Sequence, residues 1–427
     1  MKHIPEERLS TIGKLIGVIR EEKRDKSQNK YTMKSFVDGI CTVNTLKRIE
    51  AGEIARIEAV YVELLEKLNL KLGYFPAVDE AILELMNPLY EAIEYYRVED
   101  ISKYCDMSLR VLIKVKDYAY YSEIYDLFLA TKEYFEETKI ISLQKMERFR
   151  NEYMLFDEKY HSLFKIMVFY RGQAEAYHNP KMYKEITKEL GFLETSNITE
   201  RIICLNYSVN FEKYITFKER ALSLEKLLLL KNNYNRLLDV YTYMIYASIT
   251  IEHRKNKEYA KKAENIIETK QILNIKVSDY FCNVATSLHE NKLYEEALEY
   301  YQNMVKKTNI NNLWLPALNC MAHCQRVLEK EIDIPILDDE KIKVWSVLDQ
   351  KIYKYFTTKE VEPFAKINFI LKEVAPNLMY EGIIKMFSDE LELLVKETGS
   401  YKSLYTFNRI VHDNKQKWNN NFIRKSE

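Results

Sequence analysis

Residues 31–52 read YTMKSFVDGICTVNTLKRIEAG, and this stretch decides how the first part of the chain folds. The spacing predicts a short helix ending near Gly39, a tight turn, and a second helix opening after Thr42. Phe36, Ile40, Leu46 and Ile49 recur at intervals that pack both helices on one small core. Gly39 falls where the first helix must stop and the chain must turn, a place that favours a residue without a Cβ. Thr42 is placed to cap the second helix. Val43, Asn44, Thr45, Lys47 and Arg48 are left pointing outward, a mixture suited to base edges and phosphates. This is the plan of a helix-turn-helix, whose second helix lies in the DNA major groove; an ordinary surface helical hairpin is the alternative.

Working outward, apolar residues at helical spacing (Leu9, Ile12, Leu15, Ile16, Ile19) predict a first helix. A closing helical pattern runs from Ile54 to Leu68 through Ile57, Val60, Tyr61, Leu64 and Leu65. Asn69 to Pro76 breaks it, so an N-terminal unit is expected over residues 1–75 and a second domain over 76–427. The chain carries 64 basic and 64 acidic residues, so no global field advertises nucleic acid. Between Arg20 and Arg48, however, eight basic residues face four acidic ones, a local excess of +4. A dimeric reader needs only a few phosphate contacts per half-site.

The stretch closely resembles the phage-repressor (Xre-type) helix-turn-helix family. The family's closing pattern, x-S-x-I-S-R-I-E-x-G, is matched by residues 44–52, NTLKRIEAG, and Gly39-Ile40-Cys41 is similar to its peptide-sensing branch. The resemblance implies duplex DNA contacts at Thr42, Val43, Asn44, Thr45, Lys47 and Arg48. Met33 stands where the family has a phosphate-bracing glutamine, so no phosphate contact is carried over there. The connection from Arg24 to Lys30 is longer than the family's, and its Lys26 and Lys30 are placed to touch the backbone.

Only 9 Gly and 8 Pro occur in 427 residues, while helix-formers dominate, which predicts an all-α chain with short connections. No 18-residue apolar run exists, so no membrane span is expected. The N-terminus lacks the apolar core of a signal peptide, and six cysteines are scattered without disulfide-like pairing. A reduced, cytoplasmic setting follows. Cys320 and Cys324 sit one helical turn apart beside His323, but no second ligand pair stands out. Small buried residues at an interhelical contact are the preferred reading, and no metal or cofactor is expected. No phosphate loop, nucleophile elbow or zinc-protease motif occurs, so no catalytic residue is assigned and an enzyme is not expected.

Beyond residue 76 helical patterns follow one another, at Asp79–Val98, Asp100–Val115, Tyr120–Thr131, Lys132–Phe149 and Glu158–Gln173. The clearest repeating unit runs from Val277 to Thr308, with its turn at Glu290-Asn291-Lys292. It resembles the tetratricopeptide repeat: Phe281, Ala285, Ala297 and Tyr301 match that family's packing positions. Ala263 to Ala297 spans 34 residues, the family's period, and Leu313 to Leu328 reads as the next first helix. An α-solenoid of such pairs exposes a concave groove lined by first helices. Asparagine suits a peptide backbone there because its amide both donates and accepts. Asn206, Asn210, Asn283 and Asn319, with Tyr243 and Tyr246, are therefore the candidate peptide-binding residues, although each asparagine alone is as readily a solvated or capping residue.

A repressor-type helix-turn-helix followed by degenerate tetratricopeptide-like pairs resembles the peptide-pheromone receptors of Gram-positive bacteria, the Rgg/PlcR/PrgX/NprR group. The resemblance implies a cytoplasmic, homodimeric, quorum-sensing transcription regulator. It would bind a palindromic operator under the control of a short signalling peptide held in the repeats. The competing expectation is a DNA-binding regulator whose repeats are a protein-interaction scaffold. A phosphatase of the related Rap type is disfavoured, because those proteins lack a DNA-reading domain.

Overall fold

The computed structural model describes residues 4–26, 29–176, 179–249, 251, 253–309, 313–343, 345–358, 361–378 and 380–426, and all of their side chains except those of 25–26, 253–255 and 417–426. The fold is all-α, with no strand among the described residues. It divides into two compact units, Met1–Asn210 and Phe211–Glu427.

The first unit opens with α1 (Glu6–Lys26), α2 (Met33–Phe36), α3 (Val43–Glu50) and α4 (Ala59–Lys67), then α5 (Pro76–Tyr95), α6 (Val98–Leu112) and α7 (Tyr121–Glu137). It continues through α8 (Leu143–Glu152), α9 (Glu158–Ala174), α10 (Pro180–Glu189) and α11 (Ile198–Phe211). α7 runs through the break expected at Thr131 and ends where Thr138 turns left-handed at φ 56°. The closing helix is shorter than its apolar pattern. Tyr61 Oη accepts from Ala55 N at 3.2 Å, which holds residues 51–58 as a loop and leaves Ile57 63 % exposed.

The expected boundary at residue 75 lies inside the first unit. Ile12, Leu15 and Ile16 of α1 are completely buried, and the helix packs on α3 and α4 on one side and on α8 on the other. Arg8 lies 3.4 Å from the centre of the Tyr120 ring and pairs with Asp79 at 3.3 Å, while Thr11 donates to Leu155 O at 3.2 Å. α1 thus belongs as much to the helical array as to the N-terminal cluster.

The second unit contains α12 (Tyr214–Leu230), α13 (Tyr234–Ser248), α14 (His253–Thr269), α15 (Asn274–Glu290), α16 (Tyr294–Lys307) and α17 (Leu315–Val327). After these come α18 (Asp339–Lys343), α19 (Val347–Thr357), α20 (Pro363–Phe369), α21 (Glu381–Thr398) and α22 (Lys402–Ser426). Successive helices pair, α13 with α14 and α15 with α16, and the first helices α13, α15 and α17 pack side by side. This is the helical-pair stacking of an α-solenoid. The pairing residues are those the repeat pattern picked out: Ala263, Ala285 and Ala297 are fully buried where helices meet, and Phe281 and Tyr301 fill the layer between them. Lys292 ends the intervening turn at φ 60°. Cys324 is fully buried on α17.

Candidate functional site

Local chemistry builds the α2–turn–α3 segment. Thr32 and Thr42 are both extended N-caps, accepting from the backbone N–H groups of Ser35 and Thr45. α2 stops at Phe36, earlier than the spacing predicted, because Cys41 and Ile40 both bond back to Val37 O and tighten the chain. Gly39 lies in that turn at φ 77°, where an added Cβ would touch nothing within 4 Å. Its requirement is therefore purely conformational. Lys67 of α4 reaches across to donate to Phe36 O and Asp38 O, both at 2.9 Å, and so satisfies carbonyls left open at the end of α2.

α3 is fixed from beneath. Leu46 and Ile49 are buried, and α1 crosses α3 at two glycines: a Cβ on Gly13 would lie 2.5 Å from Ile49 O, and one on Gly17 would lie 3.1 Å from Glu50 Cγ. Arg20, 1 % exposed, grips Glu50 with Nε–Oε1 at 2.6 Å and Nη2–Oε2 at 3.0 Å, and donates to Tyr31 O at 3.1 Å. Burial works against the guanidinium charge, but the hydrogen bonds and charges of Glu50 and Glu21 hold its pKa above the ordinary value. Gly52 ends the segment at φ 90°, its carbonyl accepting from Ser10 Oγ at 2.8 Å. Gly13, Gly17 and Lys67 were not picked out from sequence, and Arg20 was counted there only as part of the local positive charge; the four-residue spacing of the two glycines was the available signal for a close helix crossing.

The face of α3 turned away from this support carries the expected set. Thr42, Asn44, Lys47 and Arg48 are exposed, and Val43 and Thr45 are half-buried at its start. Arg48 pairs with Glu53 at 2.6 Å, both side chains in solvent. Lys30 is exposed with its ammonium 5.6 Å from the Tyr31 ring centre. The side chain of Lys26 lies outside the described residues. The local excess of +4 is smaller at the surface than in the sequence. Arg20 is spent inside, and Lys23 donates to Leu68 O at 2.5 Å.

The candidate peptide residues do not form one described set. Asn206 and Asn210 lie in the first unit, where Asn206 accepts from Tyr183 Oη at 3.3 Å and Asn210 donates to Asn206 O at 2.8 Å. In the second unit, Tyr243 is half-buried and Tyr246 exposed on α13, and Asn283 is exposed on α15, donating to Asp279 O at 2.8 Å. Asn319 differs from the expectation of a groove-facing side chain. It is 2 % exposed, and its amide donates to Asp349 O at 3.1 Å, which ties α17 to the start of α19. Between α13 and α15 the sequence reading missed a charged contact: Lys276 binds both carboxylate oxygens of Asp239, at 2.8 and 3.0 Å. Beside it, burial pushes the Asp279 carboxyl up to about 6, with Lys276 opposing the shift and Asp239 adding to it.

No protein family, curated protein or solved structure matches this chain. Among the described residues no helix is long and apolar enough to cross a membrane.

Proposed function

We propose that this chain is a sequence-specific DNA-binding regulator built on a helix-turn-helix of α2 and α3, and that it acts as a homodimer on a palindromic duplex. One observation carries the reading: α3 offers Asn44, Lys47 and Arg48 to solvent on a helix whose opposite face is locked to α1 by Leu46, Ile49 and the Arg20–Glu50 pair. Rigid support beneath a polar, cationic helix face is what base readout needs, since the reading side chains must arrive in register. Asn suits adenine and Arg suits guanine through paired hydrogen bonds, each good pair discriminating by about 1–3 kcal/mol. The Arg48–Glu53 pair lies in solvent, where such a pair is worth only about 0–1 kcal/mol, so the guanidinium is cheaply released to a base.

The regulatory half of the proposal is a short signalling peptide bound along α13 and α15, where Tyr246 and Asn283 are exposed beside the Asp239–Lys276 contact. Peptide would act by binding one arrangement of the dimer better than the other. A second reading, in which the repeats are a scaffold for another protein, is favoured by α12, whose Ile215, Leu229 and Leu230 are 66 %, 47 % and 82 % exposed. Selection of bound sequences from a random duplex pool tests the DNA claim. Titration with peptides fractionated from the producing culture's medium separates the two readings of the repeats.

A further inference from the structure

In the second unit, α12 is apolar on two opposite sides. Phe217, Ala221, Leu224 and Leu228 are buried on one side, where the helix packs on α13. At about 3.6 residues per turn, Ile215, Glu219, Leu222, Lys226, Leu229 and Leu230 fall together on the other, in an arc about 100° wide. Ile215, Leu229 and Leu230 are exposed there and Leu222 is half-buried. Glu219 and Lys226 are exposed beside them, and neither has an ion-pair partner among the described residues. The two charges stand seven positions apart, about 10 Å along the axis, too far to satisfy each other. A helix with apolar side chains on both sides belongs inside a contact, and an apolar stripe left open in this way marks a protein interface.

The stripe is complementary to itself. An antiparallel copy, related by a two-fold axis between Leu222 and Ser223, sets Ile215 opposite Leu230 and Glu219 opposite Lys226, and the symmetry makes each contact twice. The apolar ends then close on each other while each charge meets its opposite. A parallel pair would instead set Glu219 on Glu219 and Lys226 on Lys226. Sliding the antiparallel pair by one helical turn in either direction brings Glu219 opposite a leucine, Leu222 or Leu230, and separates both charge pairs. Direction and register are therefore specified by the two charges, and the leucines and isoleucine supply the apolar contact.

We propose that α12 pairs with α12 of a second copy of this chain, antiparallel, through Ile215, Leu222, Leu229 and Leu230, with reciprocal Glu219–Lys226 contacts. This rests on the homodimer reading, for which it names the contact surface, and is independent of how α3 reads DNA. It gives to a second copy the stripe that otherwise favours a scaffold for another protein. Two helices of 17 residues, each about 25 Å long, cover a modest area. The free dimer therefore belongs to the micromolar class of small interfaces.

The test is sedimentation velocity of the full chain without DNA, at about 1–100 µM. The wild type should pass from monomer to dimer across that range. Leu230→Asp, at an exposed position, should weaken association at least about tenfold. Glu219→Lys and Lys226→Glu should each weaken it about threefold to tenfold by setting like charges together, and the double exchange should restore wild-type association. A monomer at every concentration would overturn the proposal and is the outcome expected if the stripe serves a different protein; whether two copies then assemble on a palindromic duplex decides the homodimer reading separately. A dimer that Leu230→Asp leaves intact, or a double exchange as weak as the single ones, would overturn the α12 contact and leave the homodimer reading standing.

Discussion

Separating the Arg20–Glu50 pair should loosen α3 from α1 and expose how α3 is held. Arg20 is 1 % exposed and Glu50 12 %, and the two are joined by a two-pronged contact at 2.6 and 3.0 Å. Removing one member of a buried pair costs about 3–5 kcal/mol, because the survivor is left charged without its partner. The two single variants should differ. Glu50→Leu strands the more deeply buried guanidinium, which keeps only Glu21 and Tyr31 O, so its cost should be about 3 kcal/mol. Arg20→Met strands a carboxylate with some access to water and should cost less, about 2 kcal/mol. The double variant replaces the pair with apolar side chains and should recover at least 1 kcal/mol relative to the sum of the singles. Urea denaturation of the three variants gives the cycle, and amide hydrogen exchange over residues 43–50 shows whether opening is local. Additive single effects, or a cost below about 0.5 kcal/mol for Glu50→Leu, would refute the view that this pair fixes α3.

Three further outcomes follow from particular contacts. Gly39→Val should cost about 1–2 kcal/mol through its left-handed backbone alone, since a Cβ meets no neighbour, and Gly39→Asn should cost less; equal melting of the two by calorimetry would contradict this. Without ligand, Asn319→Ala should destabilise the second unit by about 1–3 kcal/mol by leaving Asp349 O unpaired, whereas Asn283→Ala, at an exposed position, should leave its melting unchanged. Burial lowers His289 to about 4 and His323 to about 3, the latter also repelled by His289, and their rings bond Nε2 to Nδ1 at 2.9 Å. The unfolded chain then binds the extra protons, so stability held above about pH 6.5 should fall as pH drops, by up to about 1.4 kcal/mol per pH unit per histidine. Asp279 works in the opposite direction below pH 6. The readout is therefore the flatter pH slope of His323→Phe, and an unchanged slope would contradict the assignment.

The parts of the fold that could be read from sequence were those fixed by local chemistry. Thr42 capping, the left-handed Gly39 and the small–aromatic alternation of Ala285, Ala297 and Tyr301 each act over a few residues, so spacing reveals them. Contacts between distant segments left weaker traces. Arg20 counts as surface charge in any tally, yet its partner Glu50 is thirty positions away, and only the folded chain brings it inside. Asn319 shows the same limit: its spacing from Asn283 implied a shared face, while packing of α17 on α19 buried it. The helical pattern through Ile54 and Ile57 misled because Tyr61, further along the same pattern, captures the backbone at Ala55 with its hydroxyl. The boundary near residue 75 rested on a break in periodicity, which does not register that α1 packs on α8.

The most direct test of the central claim is selection of duplexes from a random pool by the wild-type chain and by Asn44→Ala and Arg48→Ala. The account predicts a palindromic consensus for the wild type, whose half-site preference each variant relaxes by about 1–3 kcal/mol at one or two positions. Recovery of no preferred sequence by the wild type, or an identical consensus from both variants, would contradict the assignment of α3 as a DNA-reading helix.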